Sequence, residues 1–274
     1  MRKLAIKLLK KFNPGTIKIR HHLTKKPFYL DAFLHKGFWY YGKRREKDTI
    51  QLFSEIIPGC NFVIDVGANI GYFSQYFGQL TNDTKKVVIF EPGPENLTYL
   101  KRNISCYDSI RLIEKAVSNT NGRANFYVDD LTGQNNSLLS DYKIYDEVLK
   151  NSGVTATKKM IEVETVTLDS FMEQEYPGES PDFIKIDIEG AELFALQGME
   201  KILELYAPTL MVEISENIPE VIKMLRDFDY ILIRANKTIL DEKLIADDFG
   251  SFINVFCIHK SKHDILKKLQ INLT

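Results

Sequence analysis

Residues 62–74 read Phe-Val-Ile-Asp-Val-Gly-Ala-Asn-Ile-Gly-Tyr-Phe-Ser, and this stretch decides the fold. The apolar run 62–66, interrupted by Asp65 alone, is typical of a strand that helices cover on both faces. Gly67 and Gly71 predict a tight turn, because a residue without Cβ lets the backbone bend sharply and lets a ligand or a neighbouring strand approach. A helix predicted from about Ile70 would point its unpaired N–H groups at whatever lies above the turn.

The spacing of this turn separates two classes of ligand. A dinucleotide-binding turn is Gly-x-Gly-x-x-Gly, whereas this chain has Asp-x-Gly-x-x-x-Gly. Asp65 would repel a pyrophosphate, so the turn favours a zwitterionic or cationic ligand such as S-adenosylmethionine, which has an amino-acid end and a sulfonium. An ordinary strand-to-helix turn without a ligand is the alternative, because a lone glycine pair is a weak signal.

A second buried strand, residues 87–90, ends at Glu91 and Pro92. An acid at the tip of the second strand is where a ribose diol is held, because a carboxylate accepts hydrogen bonds from both hydroxyls. Nicotinamide enzymes share this device with methyltransferases, so Glu91 predicts an adenosine without specifying the cofactor.

Further strands are predicted along the chain. One strand covers residues 111–118, and the small residues at its end, including Ala116 and Val117, leave room for a flat adenine. Thr167 is a predicted N-cap of a short helix. Residues 230–234 and 252–259 suit an antiparallel pair that closes the sheet.

Two carboxylates follow another buried strand, and a third lies in the strand after it. Asp187 and Glu189 are costly to desolvate unless a ligand, a metal or a partner cation compensates for their charge. Both are site candidates, because ligands of open α/β sheets bind at the carboxyl edge. Glu213 would converge on Asp187 if the two strands are neighbours. The alternative is an ion pair with Lys185 and helix capping by Glu189.

The first 60 residues precede these motifs and form a predicted N-terminal extension. Residues 3–12 predict a basic amphipathic helix, which suits either an anionic membrane surface or packing on the domain. Residues 27–42 are dense in aromatic side chains, which would either wall an acceptor site or pack the extension onto the core.

Composition limits the class of protein. The 274 residues are 44% hydrophobic and carry a formal net charge of −1, which is ordinary for a globular chain. Residues 1–26 hold nine Lys or Arg and no acid, so the remainder is acidic, and a nucleic-acid partner is disfavoured. Three cysteines without a CxxC pair indicate buried thiols in a reducing compartment. We therefore expect a cytoplasmic protein, and peripheral contact of residues 3–12 with the inner membrane surface stays the alternative to packing on the domain.

The order of these motifs resembles the FkbM family of S-adenosylmethionine-dependent methyltransferases. The resemblance covers about residues 61–213 and rests on Asp65-Val66-Gly67-Ala68-Asn69-Ile70-Gly71, Phe90-Glu91-Pro92, Ala116-Val117-Ser118, Thr167-Leu168-Asp169 and Lys185-Ile186-Asp187-Ile188-Glu189-Gly190-Ala191-Glu192. It implies an α/β fold with a Rossmann-like class I methyltransferase sheet, mostly parallel, of seven strands with one antiparallel. Residues 61–274 would form the methyltransferase domain, with residues 1–60 as the extension.

The resemblance also implies O-methylation of a small molecule or sugar hydroxyl, with a glycan or glycolipid precursor as the acceptor. Asp65, Gly67, Asn69 and Gly71 would cradle the methionine part of the cofactor, and Glu91 would hold its ribose. The full predicted cofactor-binding set is Asp65, Gly67, Ala68, Asn69, Gly71, Phe73, Glu91, Pro92, Ala116, Val117 and Asp187.

The predicted chemistry requires in-line attack by an oxygen on the methyl carbon, so positioning and removal of the hydroxyl proton should dominate catalysis. Asp187 is the first choice of base, and Glu189 or Glu213 would serve equally. The three acids would alternatively hold a divalent metal such as Mg²⁺, which prefers oxygen ligands, and this question stays open.

Two other functions remain as alternatives. One is an NAD(P)-dependent oxidoreductase on a Rossmann-like fold, which Glu91 fits and the glycine turn does not. The other is a cofactor-binding, membrane-peripheral module without catalysis, which the helix at residues 3–12 suggests.

Overall fold

An N-terminal hairpin and two helices precede the main sheet. The structure is a computed structural model that describes residues 8–42, 45–129, 136–140, 158–240 and 253–271. Residues 3–7 of the helix predicted over residues 3–12 lie outside these ranges, and residues 8–11 are helical. The elements that follow are β1 (Thr16–Arg20), β2 (Pro27–Asp31), α1 (Lys36–Tyr41) and α2 (Lys47–Ile56).

The stretch around the glycine turn forms the predicted strand, turn and helix. Strand β3 (Phe62–Val66) is buried at every position, as its apolar run predicts. The helix begins two residues later than predicted, because Gly71 adopts a left-handed φ of 86° as its N-cap. The elements in this part of the chain are α3 (Tyr72–Leu80), β4 (Lys86–Phe90), α4 (Pro94–Ile104) and β5 (Ile110–Ile113).

The single strand predicted over residues 111–118 is wrong. The chain leaves the main sheet after β5 and enters a separate three-stranded sheet. The break falls at Glu114 and Lys115, which form ion pairs with Lys101 (2.7 Å) and Glu164 (3.0 Å) and so keep their charges at the surface. The small sheet contains β6 (Ala116–Val117), β7 (Gly122–Asp129) and β8 (Lys158–Val166).

The remaining elements complete the main sheet and its helices. The side chain of Thr167 accepts a hydrogen bond from the Ser170 backbone N–H (3.2 Å), so the predicted N-cap is confirmed. The elements are α5 (Leu168–Glu175), β9 (Phe183–Ile186), α6 (Glu192–Gln197), α7 (Glu200–Tyr206), β10 (Thr209–Ile214), α8 (Ile218–Asp227), β11 (Tyr230–Arg234), β12 (Ile253–His259) and α9 (His263–Lys268).

The main sheet has seven strands in the order β11-β12-β10-β9-β3-β4-β5. Strand β12 is antiparallel to both of its neighbours, and the other pairs are parallel. The predicted sheet, mostly parallel with one antiparallel strand, is therefore confirmed. Because β4, β3, β9 and β10 are consecutive neighbours, the residues that follow these strands meet at one edge.

Two hydrophobic clusters cover the opposite faces of the sheet. Alternate residues of β3 divide between them: Val63 belongs to one cluster, and Phe62 and Ile64 to the other. The first cluster also includes Phe28 and Phe38, so the N-terminal extension shares its core with the sheet. This packing accounts for the aromatic density of the extension.

Two further observations concern the cysteines and the membrane. Cys60 and Cys257 are buried thiols, whereas Cys106 is exposed, contrary to the expectation of three buried thiols. Cys106 follows the end of α4, where the chain turns at the surface.

Within the described residues, no helix has the length and apolar character needed to cross a bilayer.

Candidate active site

A cavity of about 480 Å³ opens at the carboxyl edge of the main sheet. Its wall includes twelve of the thirteen predicted site residues, and Gly71 is the one that does not line it. The twelve are Asp65, Gly67, Ala68, Asn69, Phe73, Glu91, Pro92, Ala116, Val117, Asp187, Glu189 and Glu213.

The glycine turn is fixed by a neighbouring strand. Gly67 has a φ of +82°, and a Cβ there would lie 1.9 Å from the Asp187 carbonyl oxygen. The backbone N–H groups of Gly67 and Ala68 both donate to the Phe90 carbonyl oxygen, at 3.1 and 2.9 Å. The turn therefore connects the ends of β3, β4 and β9, and glycine is needed because their backbones approach so closely.

Asp65 lies beneath this turn and is fully buried. Its carboxylate accepts hydrogen bonds from the Ser74 hydroxyl (2.7 Å) and the Lys185 ammonium (3.1 Å). Asp65 was expected to contact the methionine part of a cofactor, and its two oxygens are engaged by protein groups. Asp65 is thus held by Ser74 and Lys185 and also lines the cavity, and its contact with a cofactor stays a prediction.

Lys185 is the buried cation that links the turn to the acids. Its ammonium also lies 3.2 Å from the Asp187 carboxylate and 3.3 Å from the Gly67 carbonyl oxygen. Burial lowers the pKa of Lys185, but attraction to Asp187 and Asp65 outweighs this effect and raises the pKa above its usual range. Lys185 therefore stays charged. Its contact with Asp187 is the ion pair that the sequence analysis gave as the alternative to a ligand or metal at this carboxylate.

Asp187 and Glu213 form a carboxylate pair with opposite pKa shifts. Burial raises the pKa of Asp187, but the charge of Lys185 and a hydrogen bond from Glu213 lower it, and the net shift is downward. Burial and the charges of Asp187 and Glu189 raise the pKa of Glu213 well above its usual range. Glu213 is therefore the more readily protonated acid of the pair, and it donates the hydrogen bond to Asp187.

Glu189 completes a group of three acids. One carboxylate oxygen from each of Asp187, Glu189 and Glu213 lies within 4.8 Å of the other two. Glu189 adopts a left-handed φ of 56°, and its carbonyl oxygen accepts a hydrogen bond from the Ser137 hydroxyl (2.7 Å). This backbone conformation is uncommon for a residue with a side chain, and it places Glu189 in the cavity wall.

Glu192, not Glu189, satisfies the backbone of this turn. Its Oε1 atom accepts from the N–H groups of Gly190 (3.0 Å) and Ile188 (3.3 Å). The sequence alternative of helix capping by Glu189 is therefore wrong. Because Glu192 takes that role, the carboxylate of Glu189 is left in the cavity wall with the other two acids.

Glu91 lies at the opposite side of the turn, directly after β4. It accepts hydrogen bonds from Asn69 N–H (2.8 Å), Gly93 N–H (2.8 Å) and the Asn96 amide (3.1 Å). Burial raises its pKa to about 7 in spite of these three donors, which lower it. Its orientation is thus fixed, and its charge changes near neutral pH.

Part of the cavity wall is apolar, and we call this part the slot. It is formed by Ala116 and Val117 of β6, by Phe126 of β7 and by Leu138. Ala116, Val117 and Phe126 are buried. The sequence analysis placed Ala116 and Val117 at the end of a strand in the main sheet. In the structure these two residues belong to the small sheet, which therefore forms this part of the wall.

Sequence reasoning missed several polar wall residues, among them Arg45, Glu46 and Asn254. Glu46 precedes α2, forms an ion pair with Arg45 (2.9 Å) and accepts from the Asn254 amide (3.3 Å). Burial raises the pKa of Glu46, and the charge of Asp187 adds to this shift. Asn254 pairs in register with Glu213 across β10 and β12. No local pattern marks these residues, because Glu46 and Asn254 are 208 positions apart.

Tyr72 was also missed, although it lies within residues 62–74, the stretch that contains the glycine turn. Its side chain lines the cavity and is 3% exposed. Among the described residues, its buried hydroxyl has no hydrogen-bond partner. Burial raises the pKa of the phenol to about 12, so the hydroxyl remains a donor for a ligand.

The strand order, the single antiparallel strand and the cavity at the carboxyl edge define a Rossmann-like class I methyltransferase fold. The methyltransferase FkbM domain matches residues 65–232, which is more than half of the chain. The chain therefore belongs to the FkbM methyltransferase family.

Three relatives and one solved structure are similar to the chain. Methyltransferase sdnD of Sordaria araneosa is 30% identical over 164 residues, which are 53% of this chain and 62% of that protein. The 2-O-methyltransferase NoeI of Sinorhizobium fredii is 31% identical over 153 residues, 52% of this chain and 58% of that protein. The hexuronic acid methyltransferase AglP of Haloferax volcanii is 24% identical over 207 residues, 70% of this chain and 77% of that protein. The chain thus spans less than two thirds of sdnD and NoeI.

A crystal structure of a methyltransferase FkbM from Methylobacillus flagellatus is 17% identical, with a TM-score of 0.44 over 72% of this chain and 43% of that chain.

Proposed function

We propose that this protein transfers the methyl group of S-adenosylmethionine to a hydroxyl oxygen of a small molecule or sugar. The observation that carries this proposal is a single cavity whose wall includes both the buried Glu91 and the carboxylate pair of Asp187 and Glu213. The sugar-modifying names of NoeI and AglP support a glycan or glycolipid precursor as the acceptor.

The cofactor would lie across the end of β3. The ionised Glu91 would accept from the ribose hydroxyls, and the slot at Ala116 and Val117 would hold the adenine. The methionine part would then lie against the backbone of Gly67 and Asn69. This placement directs the sulfonium toward the acids on β9 and β10.

The carboxylates would remove the acceptor's proton. As the oxygen attacks the methyl carbon, the C–S bond breaks, the sulfur becomes a neutral thioether, and the hydroxyl proton becomes strongly acidic. Asp187 would accept this proton despite its lowered pKa, because an alkylated oxygen releases a proton even to a weak base. Before the cofactor binds, Glu213 would hold Asp187 in place by donating a hydrogen bond to it. Glu189, or Glu213 once it has lost its proton, is the alternative base.

The same acids fit a divalent cation by donor chemistry and spacing. Asp187, Glu189 and Glu213 would supply the oxygen ligands, and a Mg²⁺ ion would orient the acceptor oxygens and stabilise their developing charge. Lys185 lies 3.2 Å from Asp187 and favours its ionised form, so the chain supplies a proton acceptor without such an ion.

The proposal includes location and partners. The protein would act in the cytoplasm, would not need a nucleic acid, and would make peripheral contact with the inner membrane surface through residues 3–12. The basic and apolar arcs of that segment support this contact.

Calorimetric titration of S-adenosylhomocysteine tests the cofactor assignment. We expect micromolar binding that Glu91→Ala abolishes and Asp187→Asn retains, with Asp187→Asn losing methyl transfer to hydroxyl acceptors. Failure of the folded native protein to bind would reject the proposal and favour the nicotinamide alternative, which a reduced-cofactor absorbance assay would then detect. Full activity of Asp187→Asn would reject this residue as the base.

A further inference from the structure

Exposed apolar side chains concentrate at one end of the chain. The described residues expose eight large hydrophobic side chains, and five of them lie between residues 8 and 41. We call these five the docking surface: Leu8 (48% exposed), Phe12 (68%), Trp39 (38%), Tyr40 (70%) and Tyr41 (48%). Patches of this kind on a globular protein indicate an interaction site.

The same part of the chain carries the positive charge. Residues 1–45 contain 13 Lys or Arg and one acid, Asp31, whereas the whole chain has a net charge of −1. Asp31 is buried, and its carboxylate accepts from Asn13 and from the Phe33 backbone N–H. The positive charge of residues 1–45 is therefore not balanced by acidic residues within the same segment.

Two lysines connect the parts of the docking surface. The ammonium groups of Lys10 and Lys36 lie 5.8 and 4.5 Å from the centre of the Phe33 ring. The first lysine belongs to the helical turn at residues 8–11, and the second begins α1. The exposed apolar groups of both segments thus share one basic neighbourhood.

We infer that the docking surface binds an anionic phospholipid bilayer. Trp39, Tyr40 and Tyr41 combine an apolar ring with a polar tip, which suits the headgroup region, while Leu8 and Phe12 suit the acyl boundary. Lysines near the surface add attraction to anionic lipid. Between residues 8 and 42 the chain has six Lys and one Arg, and this lysine-rich composition favours a lipid surface over the bidentate phosphate contacts of RNA.

The docking surface adjoins the mouth of the cavity. Tyr41 is half exposed and also lines the cavity, together with Phe38 from the same helix. A bilayer at this surface would face the cavity mouth, so the acceptor is a hydroxyl compound anchored to lipid. This orientation rests on the proposed methyl transfer, whereas bilayer binding rests on the exposed side chains and the positive charge alone.

Trp39 allows a direct test, because it is the single tryptophan of the chain. The full-length protein is mixed with phosphatidylcholine vesicles, with or without phosphatidylglycerol, and the tryptophan emission is recorded beside co-sedimentation. We expect a blue shift and sedimentation with the anionic vesicles alone, and both should weaken as salt is added.

Matched variants locate the contact. Phe12→Ala and Tyr40→Ala should weaken vesicle binding at least about fivefold, since each removes a large apolar side chain. Leu205→Ala is the control, because Leu205 has the same 68% exposure as Phe12 on a different helix. Lys11→Gln should weaken binding, and Lys159→Gln, another exposed lysine, should not.

Several results would overturn the inference. They are no shift with anionic vesicles, equal binding to phosphatidylcholine alone, equal weakening by Leu205→Ala, a shift produced by polyuridylate RNA without lipid, or a shift that grows with protein concentration alone. Vesicle binding needs no turnover, so its failure leaves the cofactor titration unaffected. Bilayer binding by a protein that fails to bind S-adenosylhomocysteine would reject the proposed function and retain this surface.

Discussion

One charged residue, Lys185, connects the glycine turn to the group of acids in the candidate site. Lys185 contacts Asp65 below the glycine turn and Asp187 beside the acids, so one ammonium group supports both regions. The sequence named these three residues because charges interrupt buried apolar runs. It could not show that Glu46 and Asn254 meet, because that contact depends on how α2 and β12 pack.

Removal of the Lys185 charge should destabilise the fold strongly. Lys185→Met leaves the buried Asp65 and the partly exposed Asp187 without their cation, and we expect a loss of about 3–5 kcal/mol in the free energy of unfolding. Urea denaturation measures this loss. Lys86→Met is the control, because the ion pair of Lys86 with Glu179 is about half exposed and should contribute less than about 1 kcal/mol. Equal losses in the two variants would contradict the role of Lys185.

Cofactor affinity should depend on pH through Glu91. Its pKa is raised to about 7, so it gains a proton as the pH falls below this value and then accepts hydrogen bonds from a ribose less well. We expect S-adenosylhomocysteine to bind more weakly at pH 6 than at pH 8. Calorimetry at both pH values measures the change, and Glu91→Gln should remove most of it. An unchanged pH dependence in that variant would assign the effect to another group.

At the scale of elements, apolar runs predicted β3, β4, β9 and β10 well. They did so because parallel strands buried on both faces leave few polar positions. The prediction failed at residues 111–118, where Glu114 and Lys115 direct the chain into a second sheet. In sequence, a short strand that ends at a charged pair looks the same as a longer strand that continues through the pair. Only the packing of the folded chain distinguishes these two structures.

The contact between β3 and β9 gives a prediction for Gly67. Gly67→Ala would place a Cβ 1.9 Å from the Asp187 carbonyl oxygen, so the two strands would have to separate. We expect a loss of about 3 kcal/mol or more in stability, together with loss of cofactor binding. Thermal unfolding and calorimetry measure both effects.

Gly178→Ala separates backbone strain from the clash. Gly178 has a φ of +79°, close to that of Gly67, and no atom lies within 4 Å of the point that its Cβ would occupy. This variant should lose only about 1 kcal/mol, the usual cost of a left-handed residue with a side chain. If both variants lose the same amount, strand approach is not the reason for Gly67.

At the scale of the whole molecule, the extension and the sheet form one core. Phe28 and Leu30 of β2 are fully buried in the cluster that contains Val63 of β3. The sequence left open whether the aromatic segment packs or walls a site, and the structure shows both, with Phe38 buried in the core and lining the cavity. The domain boundary at residue 60 therefore stays a prediction about sequence motifs.

This shared core predicts one cooperative unfolding transition. Phe28→Ala should lower the stability of the whole chain by about 3–5 kcal/mol, because it leaves a cavity between β2 and α3. Calorimetric melting should show a single transition at a lower temperature. Tyr40→Ala should leave the melting temperature nearly unchanged, since Tyr40 is 70% exposed. A separate early transition in Phe28→Ala would contradict a shared core.

Glu213 donates a hydrogen bond to Asp187, and the proton of this bond should respond to the charge of the bound cofactor. A sulfonium brought near these acids favours their ionised forms, so S-adenosylmethionine should expel the Glu213 proton to the buffer, whereas the uncharged thioether of S-adenosylhomocysteine should not. The apparent binding enthalpy of the first ligand, but not of the second, would then follow the ionisation enthalpy of the buffer. Substrate and product would thereby be distinguished by the protons they exchange, before any acceptor is bound.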